Sequence, residues 1–259
     1  MQRLVDSNGI AISYQSSGCG PGLVLVHGGF SDHHTNWEFV EPQLAQHYTL
    51  WAIARRGRGE TTATRGHRLE DEARDVVTVI RSLEQPVYLL GHSYGAQVAL
   101  AAALELPERI RGLILYEPAS SALFPDTAMQ RLEDLAAVED WDGFALAFFG
   151  EMLLVPPAEL AALRASDLWP PIVADAPATL QDLRALRKYD FRPDRFRGVQ
   201  VPVVLQVGTE SPRELYATDA LAAVLPNVRI QELPGQAHEG MTTAPDLYVA
   251  AVHDILQAA

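Results

Sequence analysis

The 259-residue sequence has a single cysteine, Cys19, and no stretch that approaches the roughly 20 apolar residues of a membrane-spanning helix. A lone thiol excludes a disulfide framework and a metal site built from paired thiolates. The first residues, MQRLVDSNG, contain no apolar core of a signal peptide. We therefore expect a cytoplasmic protein that does not interact with a membrane.

Positive charge is also scarce. The chain has 33 Asp and Glu against 20 Lys and Arg, a formal net charge of -13. A field of this sign repels nucleic-acid phosphates and anionic lipid headgroups, so neither is an expected partner. Hydrophobic residues make up 48% of the chain, which is enough for one sizeable core. We expect a globular protein, monomeric or homodimeric, that acts on a small molecule.

Short β-rich segments alternate with segments of helical periodicity along most of the chain. The β-rich segments are 23–27, 49–54, 87–90, 113–116 and 203–207, and the clearest helical segments are 68–83 and 94–106. Such alternation predicts an α/β fold with a mostly parallel, doubly wound sheet covered by helices on both faces. Asn8-Gly9, between two short apolar runs, predicts an antiparallel hairpin at the start.

The segment 119–198 is predicted to be a helical cap inserted into the sheet domain. Strand signals disappear there, and Pro-Pro pairs interrupt the helical periodicity. The expected helices are 128–138, 141–154, 158–167 and 179–189, and the Pro-Pro pairs are at 156–157 and 170–171. Residues 1–118 and 199–259 are then the sheet domain.

The strongest chemical signal is the pattern Gly91-x-Ser93-x-Gly95. A sharp strand-to-helix turn brings neighbouring backbones together around the serine, which leaves no space for side chains at the two glycines. An apolar run precedes Gly91 and a helix of small residues follows Tyr94, as this turn requires. Ser93 is therefore the candidate nucleophile.

The segment LVLVHGGF at 23–30 supplies a candidate oxyanion hole. It is a buried strand that ends in a glycine turn, whose N–H groups are free to bind a developing oxyanion together with the N–H of Tyr94. Gly29 is the expected donor in the turn, and Phe30 beside it is expected to contact the substrate. The alternative is that the two glycines only turn the chain.

The candidate base is His238, on a loop after the last predicted strand. A serine hydroxyl needs a neighbouring base to become a nucleophile. Of the other histidines, His92 and His27 belong to the two turns above, His47 and His67 are expected to be exposed, and His253 lies on the final helix. Asp32-His33-His34 has metal-binding residue types but no further ligands at regular spacing, so we expect neither a metal nor a cofactor.

These segments together resemble an α/β-hydrolase fold enzyme of the subgroup with a helical cap after the sixth strand. The matching segments are 27–29 (HGG), 55–61 (RRGRGET), 91–95 (GHSYG) and 233–238 (LPGQAH). The resemblance implies a serine hydrolase whose catalytic triad includes Ser93 and His238. Members of this superfamily cleave very different bonds, so the fold alone does not identify the substrate.

Two positions depart from the family pattern. Ala54 stands where many relatives have an aspartate, and Ser211 stands where the triad acid usually follows the penultimate strand. Some relatives, including certain haloalkane dehalogenases and fungal zearalenone lactonases, take a glutamate from the end of the strand after the elbow helix. In this chain that residue is Glu117, which closes the apolar run 113–116. Glu210 is the rival acid.

A serine nucleophile favours acyl chemistry on an ester, lactone or thioester. Trp141 and Phe148 belong to an aromatic stripe on one predicted helix, and we expect them to line the substrate pocket. The alternative is that the stripe forms the core of the cap. We predict cleavage of a fairly apolar carboxylic ester or lactone. A biosynthetic lyase or cyclase, a thioesterase and a ligand receptor on the same scaffold remain alternatives.

Overall fold

One eight-stranded sheet forms the centre of the protein in a computed structural model that describes residues 2–62, 66–120 and 125–257. The strands are β1 (Gln2–Ser7), β2 (Ile10–Gly18), β3 (Gly22–Val26), β4 (Thr49–Ile53), β5 (Val87–His92), β6 (Ile110–Tyr116), β7 (Val203–Gly208) and β8 (Val228–Leu233). Their order is β1-β2-β4-β3-β5-β6-β7-β8. Only the pairs β1–β2 and β2–β4 are antiparallel.

Helices cover both faces of this sheet. They are α1 (Glu41–Leu44), α2 (Leu69–Ser82), α3 (Tyr94–Ala103), α8 (Thr218–Ala222), α9 (Gly240–Thr243) and α10 (Pro245–Gln257), with four more between β6 and β7. Helices α2 and α3 pack on one face and α1 and α10 on the other, each pair with its own group of buried apolar side chains. The predicted α/β fold class is confirmed, as is the hairpin turn at Asn8-Gly9, across which Ser7 pairs with Ile10.

The described residues between β6 and β7 are mainly helical. They form α4 (Asp126–Ala137), α5 (Trp141–Ala147), a π-helical turn (Phe148–Met152), α6 (Pro157–Arg164), α7 (Trp169–Lys188) and a 3₁₀ turn (Pro193–Gly198). Helix α7 packs against α5 and also against α2. Residues 121–124 of the proposed cap lie outside the described part of the chain.

The sequence-based prediction for α7 was wrong at its amino end. The helix begins at Trp169 rather than at 179, because Pro170 and Pro171 occupy its first turn instead of interrupting it. Proline is tolerated there, since the first N–H groups of a helix have no intrahelical acceptor. The additional turns matter for the site, because they carry Asp175. Of the described helices, none is long and apolar enough to cross a membrane.

Candidate active site

Ser93 lies at the sharp turn between β5 and α3. Its backbone has φ 54° and ψ -120°, outside the usual regions for a residue with a side chain. A Cβ on Gly91 would lie 2.6 Å from the Cα of Ala96, and a Cβ on Gly95 would lie 2.2 Å from the carbonyl oxygen of His27. Close backbone contacts therefore require glycine two residues before and two residues after Ser93, which lies at the tip of the turn.

Glu117 and His238 are in direct contact at the carboxyl edge of the sheet. Nδ1 of His238 lies 2.6 Å from Oε2 of Glu117. The other carboxylate oxygen accepts a 2.8 Å hydrogen bond from the N–H of Gly208, and the Glu117 side chain is fully buried. Since a carboxylate only accepts, Nδ1 carries the proton and Nε2 of a neutral His238 is left with its lone pair.

The electrostatics of His238 suit a base that becomes charged during a reaction. Burial lowers the pKa of the imidazole, but the hydrogen bond and the charge of Glu117 outweigh it, and the pKa lies above its ordinary value. The ring of Tyr216 is stacked on the imidazole, with centroids 5.1 Å apart and planes 14° apart. The positive form of His238 is thereby stabilised, and its ring orientation is fixed.

The loop that carries His238 is also held through its backbone. The Tyr116 hydroxyl donates to the carbonyl of Ala237 and accepts from the N–H of Gly240 at 3.2 Å. Nε2 of His92 lies 3.0 Å from the carbonyl oxygen of His238, and the two imidazole rings are 4.7 Å apart. Tyr116, the last residue of β6, thus holds the backbone of the loop, and the next residue, Glu117, holds the side chain of His238.

The rival acid lies elsewhere. The Glu210 side chain is exposed, and its carboxylate accepts a 3.2 Å hydrogen bond from the Thr209 hydroxyl. Ser211, at the family's usual acid position, lies in the same segment. The contact with Nδ1 of His238 is made by Glu117 instead.

The turn at 27–30 lies against the candidate nucleophile. A Cβ on Gly28 would lie 3.2 Å from the Cβ of Ser93. The N–H of Gly28 donates to Asn36 and that of Phe30 to Thr179, whereas the N–H of Gly29 has no acceptor among the described residues. The N–H of Tyr94 opens α3, where a helix leaves its first donors unpaired. The N–H groups of Gly29 and Tyr94 are thus both left without an acceptor among the described residues.

A buried group of charged side chains next to this turn was missed by the sequence analysis. It consists of Arg55, Arg58, Glu72, Asp175 and Asp182, here called the buried charge cluster. His67, which we expected to be exposed, is buried with Nε2 3.6 Å from Glu72. The run RRGR at 55–58 directly after a strand was the available signal, because paired carboxylates must accompany arginines that the fold buries.

The cluster joins helix α7 to the loop after β4 and to helix α2. Arg55 donates to Asp182 and to the carbonyl of Gly28, and its guanidinium lies 4.6 Å from the ring centroid of Tyr94. Arg58 makes hydrogen bonds of 2.8 to 3.1 Å to both carboxylates of α7. Arg55 therefore contacts the carbonyl that precedes the N–H of Gly29 and the side chain of Tyr94, the two residues predicted to bind the oxyanion.

Aromatic rings of the helical segment pack on Phe30. Its ring centroid lies 4.7 Å from that of Phe148, 5.0 Å from Phe149 and 5.9 Å from Phe144. Trp141 is one ring further away, 5.7 Å from Phe144 in an edge contact. Of the predicted substrate-binding residues, Phe30 and Phe148 are thus in contact, and Trp141 belongs to the same aromatic group without contacting Phe30 by its ring.

Two groups of described residues bring possible metal ligands together. They are His92, His238 and Glu239, and His67, Glu72 and Asp182. In the first group His238 is bound to Glu117, and in the second both carboxylates accept from Arg55.

A serine on such an elbow, at the carboxyl edge of a mostly parallel sheet, is typical of α/β hydrolases. Residues 23–251 match the alpha/beta hydrolase family, and the chain therefore belongs to that family.

Several relatives resemble the chain over its whole length. It is 26% identical to 2-(acetamidomethylene)succinate hydrolase of Mesorhizobium japonicum, covering 100% of this chain and 96% of that protein. An alpha/beta hydrolase of Sphaerobacter thermophilus has a TM-score of 0.85 at 28% identity, covering 98% and 100% of the two chains. An esterase of Exiguobacterium antarcticum has a TM-score of 0.80 at 20% identity, covering 99% and 100%, a likeness of fold alone.

Proposed function

We propose that the protein is a cofactor-free serine hydrolase that cleaves a small to medium, fairly apolar carboxylic ester or lactone. The main support is the 2.6 Å contact between Nδ1 of His238 and Glu117, beside a serine on a strand-to-helix elbow. In this proposal Glu117 and His238 are the acid and the base of a catalytic triad, and Ser93 at the same edge of the sheet is its nucleophile. Relatives named as hydrolases support the broader class.

In the proposed mechanism, Nε2 of His238 takes the proton of the Ser93 hydroxyl as its oxygen attacks the substrate carbonyl. Glu117 stabilises the imidazolium, and the N–H groups of Gly29 and Tyr94 bind the oxyanion. The C–O bond to the alcohol then breaks, and the imidazolium gives its proton to the leaving oxygen. Water attacks the acyl-enzyme through the same base, which releases the acid and restores Ser93.

The surroundings of the site favour an uncharged acyl group. Phe30 and the rings of Phe148 and Phe149 form an apolar surface next to the oxyanion turn. Arg55 and Arg58 are bound by the carboxylates of the buried charge cluster, so neither is offered to a substrate carboxylate. We therefore expect neutral aryl esters or lactones to be better substrates than 2-(acetamidomethylene)succinate, the compound named for the full-length relative.

The first prediction concerns the nucleophile and tests the proposed function. A fluorophosphonate probe should label Ser93, and the Ser93→Ala variant should lose this labelling. Turnover of short-chain p-nitrophenyl esters should fall roughly 10³-fold or more, as removal of a triad member does in other serine hydrolases. A panel of lactones and esters in H₂¹⁸O should give acids that contain solvent oxygen. Labelling or turnover that survives the substitution would exclude the proposal.

A further inference from the structure

The carbonyl group that precedes Gly29 is fixed from the sheet domain. The oxygen of Gly28 accepts hydrogen bonds from Arg55 Nη2 at 2.7 Å and from His27 Nδ1 at 2.8 Å. A trans peptide directs its C=O and N–H to opposite sides. These two bonds therefore direct the N–H of Gly29 away from Arg55.

The next peptide group, between Gly29 and Phe30, is fixed from helix α7. The N–H of Phe30 donates a 2.7 Å hydrogen bond to Oγ1 of Thr179, 149 residues further along the chain. A Cβ on Gly29 would lie 3.3 Å from Cγ2 of Thr179, so the threonine packs directly over this glycine. Phe30 has φ 54°, a conformation that a non-glycine residue keeps only where its surroundings hold it.

Thr179 has its own orientation fixed by the buried charge cluster. Its hydroxyl donates to Asp175 at 2.7 Å, and its oxygen Oγ1 accepts a hydrogen bond from Arg58 Nη2 at 3.3 Å. Because the hydroxyl proton is committed to Asp175, an oxygen lone pair faces the N–H of Phe30. The hydroxyl is fully buried, so water cannot take over its role without moving the helix.

We propose that Thr179 is a positioning residue of the oxyanion hole. Its hydroxyl fixes the Gly29–Phe30 peptide on one side of the Gly29 Cα, while Arg55 and His27 fix the Gly28–Gly29 peptide on the other side. The N–H of Gly29 belongs to the second of these peptides and keeps its direction only while both are held. Thr179 does not touch the reacting atoms and acts through Phe30. The inference rests on the proposed acyl-transfer function and adds to it that part of the helical segment determines the geometry of the hole.

The experiment compares three substitutions with p-nitrophenyl butyrate as substrate. Thr179→Val and Thr179→Ala should lower kcat about 10- to 100-fold with KM within about twofold, since a preorganised oxyanion hole acts on the transition state rather than on substrate binding. Thr179→Ser keeps the hydroxyl and should stay within about threefold of the wild type. A trifluoromethyl ketone, which forms an oxyanion adduct with the serine, should lose affinity in proportion to the fall in kcat/KM.

Thr218→Val is the matched control. Thr218 is fully buried on α8, and its hydroxyl has no hydrogen-bond partner among the described residues. This variant should keep the wild-type kcat and inhibitor affinity even where its melting temperature changes. It therefore separates the loss of a specific hydrogen bond from the loss of a buried hydroxyl.

Each outcome bears on a different claim. Wild-type kcat and ketone affinity in Thr179→Ala would overturn the inference, as would an equal fall in Thr179→Ser. If Thr179→Val does not fold, the Ala and Ser variants decide, because neither presses a methyl group against the N–H of Phe30. Full turnover in Ser93→Ala would instead overturn the proposed function, and this inference with it.

Discussion

Three residues of the proposed site have positive φ angles although none is a glycine. The values are 54° at Phe30, 54° at Ser93 and 44° at Glu117. Such conformations cost on the order of 1–3 kcal/mol each and persist where the surrounding structure fixes them. Each of these residues follows a strand at the carboxyl edge of the sheet. Half of the six described non-glycine residues with positive φ therefore lie at the turns that carry the proposed nucleophile, the acid and the oxyanion donor, and the others are Asn8, Glu139 and Leu154.

A further prediction concerns Glu117 and the pH dependence of activity. Only neutral His238 can accept the Ser93 proton, and Glu117 holds its pKa above the ordinary value, so kcat/KM should fall as the pH drops through a pKa above 6.5. Glu117→Gln should lower kcat about 10³- to 10⁴-fold and move the acid limb of the residual activity to lower pH. Profiles of kcat/KM against pH measure both effects.

Glu210→Gln is the control for this substitution, because Glu210 is an exposed carboxylate that does not contact His238. Its profile should coincide with that of the wild type. A crippled Glu210→Gln, or an acid limb that stays in place in Glu117→Gln, would show that the acid has been assigned to the wrong residue.

The residues of the site differ in how far the sequence could predict them. Ser93 lies in a local pattern of glycines, and Glu117 is a charge directly after the apolar run 113–116, so each differs from its neighbours. Thr179 does not, because a threonine within a helix is ordinary and its partner, the N–H of Phe30, is 149 residues away. A contact of this kind depends on how α7 packs, which no local pattern records.

Helix α7 places three polar side chains on the face that meets the sheet domain. Asp175, Thr179 and Asp182 are separated by four and three residues, the spacing that aligns side chains along a helix. In a sequence, acidic residues at such positions indicate a helix face exposed to solvent. The sequence analysis also began this helix only at residue 179, which left Asp175 outside it. The arginines that bury these carboxylates come from the loop after β4, so only the folded structure identifies the interacting face.

Trp141 on α5 and Phe148 on the π-helical turn are predicted to have different roles. Phe148→Ala should change the ratio of kcat/KM for butyrate and octanoate esters by about tenfold, because its ring contacts Phe30 beside the oxyanion turn. Trp141→Ala should mainly lower stability, by roughly 2–4 kcal/mol, since its ring packs on Phe144. Kinetics and thermal unfolding of both variants give the comparison. Unchanged selectivity in both would assign the whole stripe to the core of the cap.

At the scale of the whole molecule, the buried charge cluster connects α7 to the loop after β4 and to α2. Arg58 bridges Asp175 and Asp182 on α7, and Arg55 bridges Asp182 and Glu72 on α2. Buried pairs add little stability compared with well-packed apolar groups, but removal of one partner leaves the other charged and buried. The attachment of α7, and with it the position of Thr179, therefore depends on the complete cluster.

The last prediction follows from this dependence. Arg58→Met should lower the free energy of unfolding by about 3–5 kcal/mol at pH 7, because it leaves the carboxylate of Asp175 without its arginine and that of Asp182 with Arg55 alone. A loss of that size corresponds to a fall of roughly 6–20 °C in melting temperature for a chain of this length. Arg197→Met is the control, since Arg197 forms an exposed pair with Asp194, and it should change stability by less than about 1 kcal/mol.

The pH dependence of this loss distinguishes uncompensated charge from poor packing. Burial already holds the pKa of Asp175 above its ordinary value, against the attraction of Arg58, and removal of Arg58 raises it further. A carboxyl group with a raised pKa in the folded state binds protons more tightly there than in the unfolded chain, so folding gains stability as the pH falls toward that pKa. The deficit of Arg58→Met relative to the wild type should therefore shrink between pH 7 and pH 5. A deficit that is constant over this range would attribute the loss to packing of the methionine rather than to the buried carboxylates.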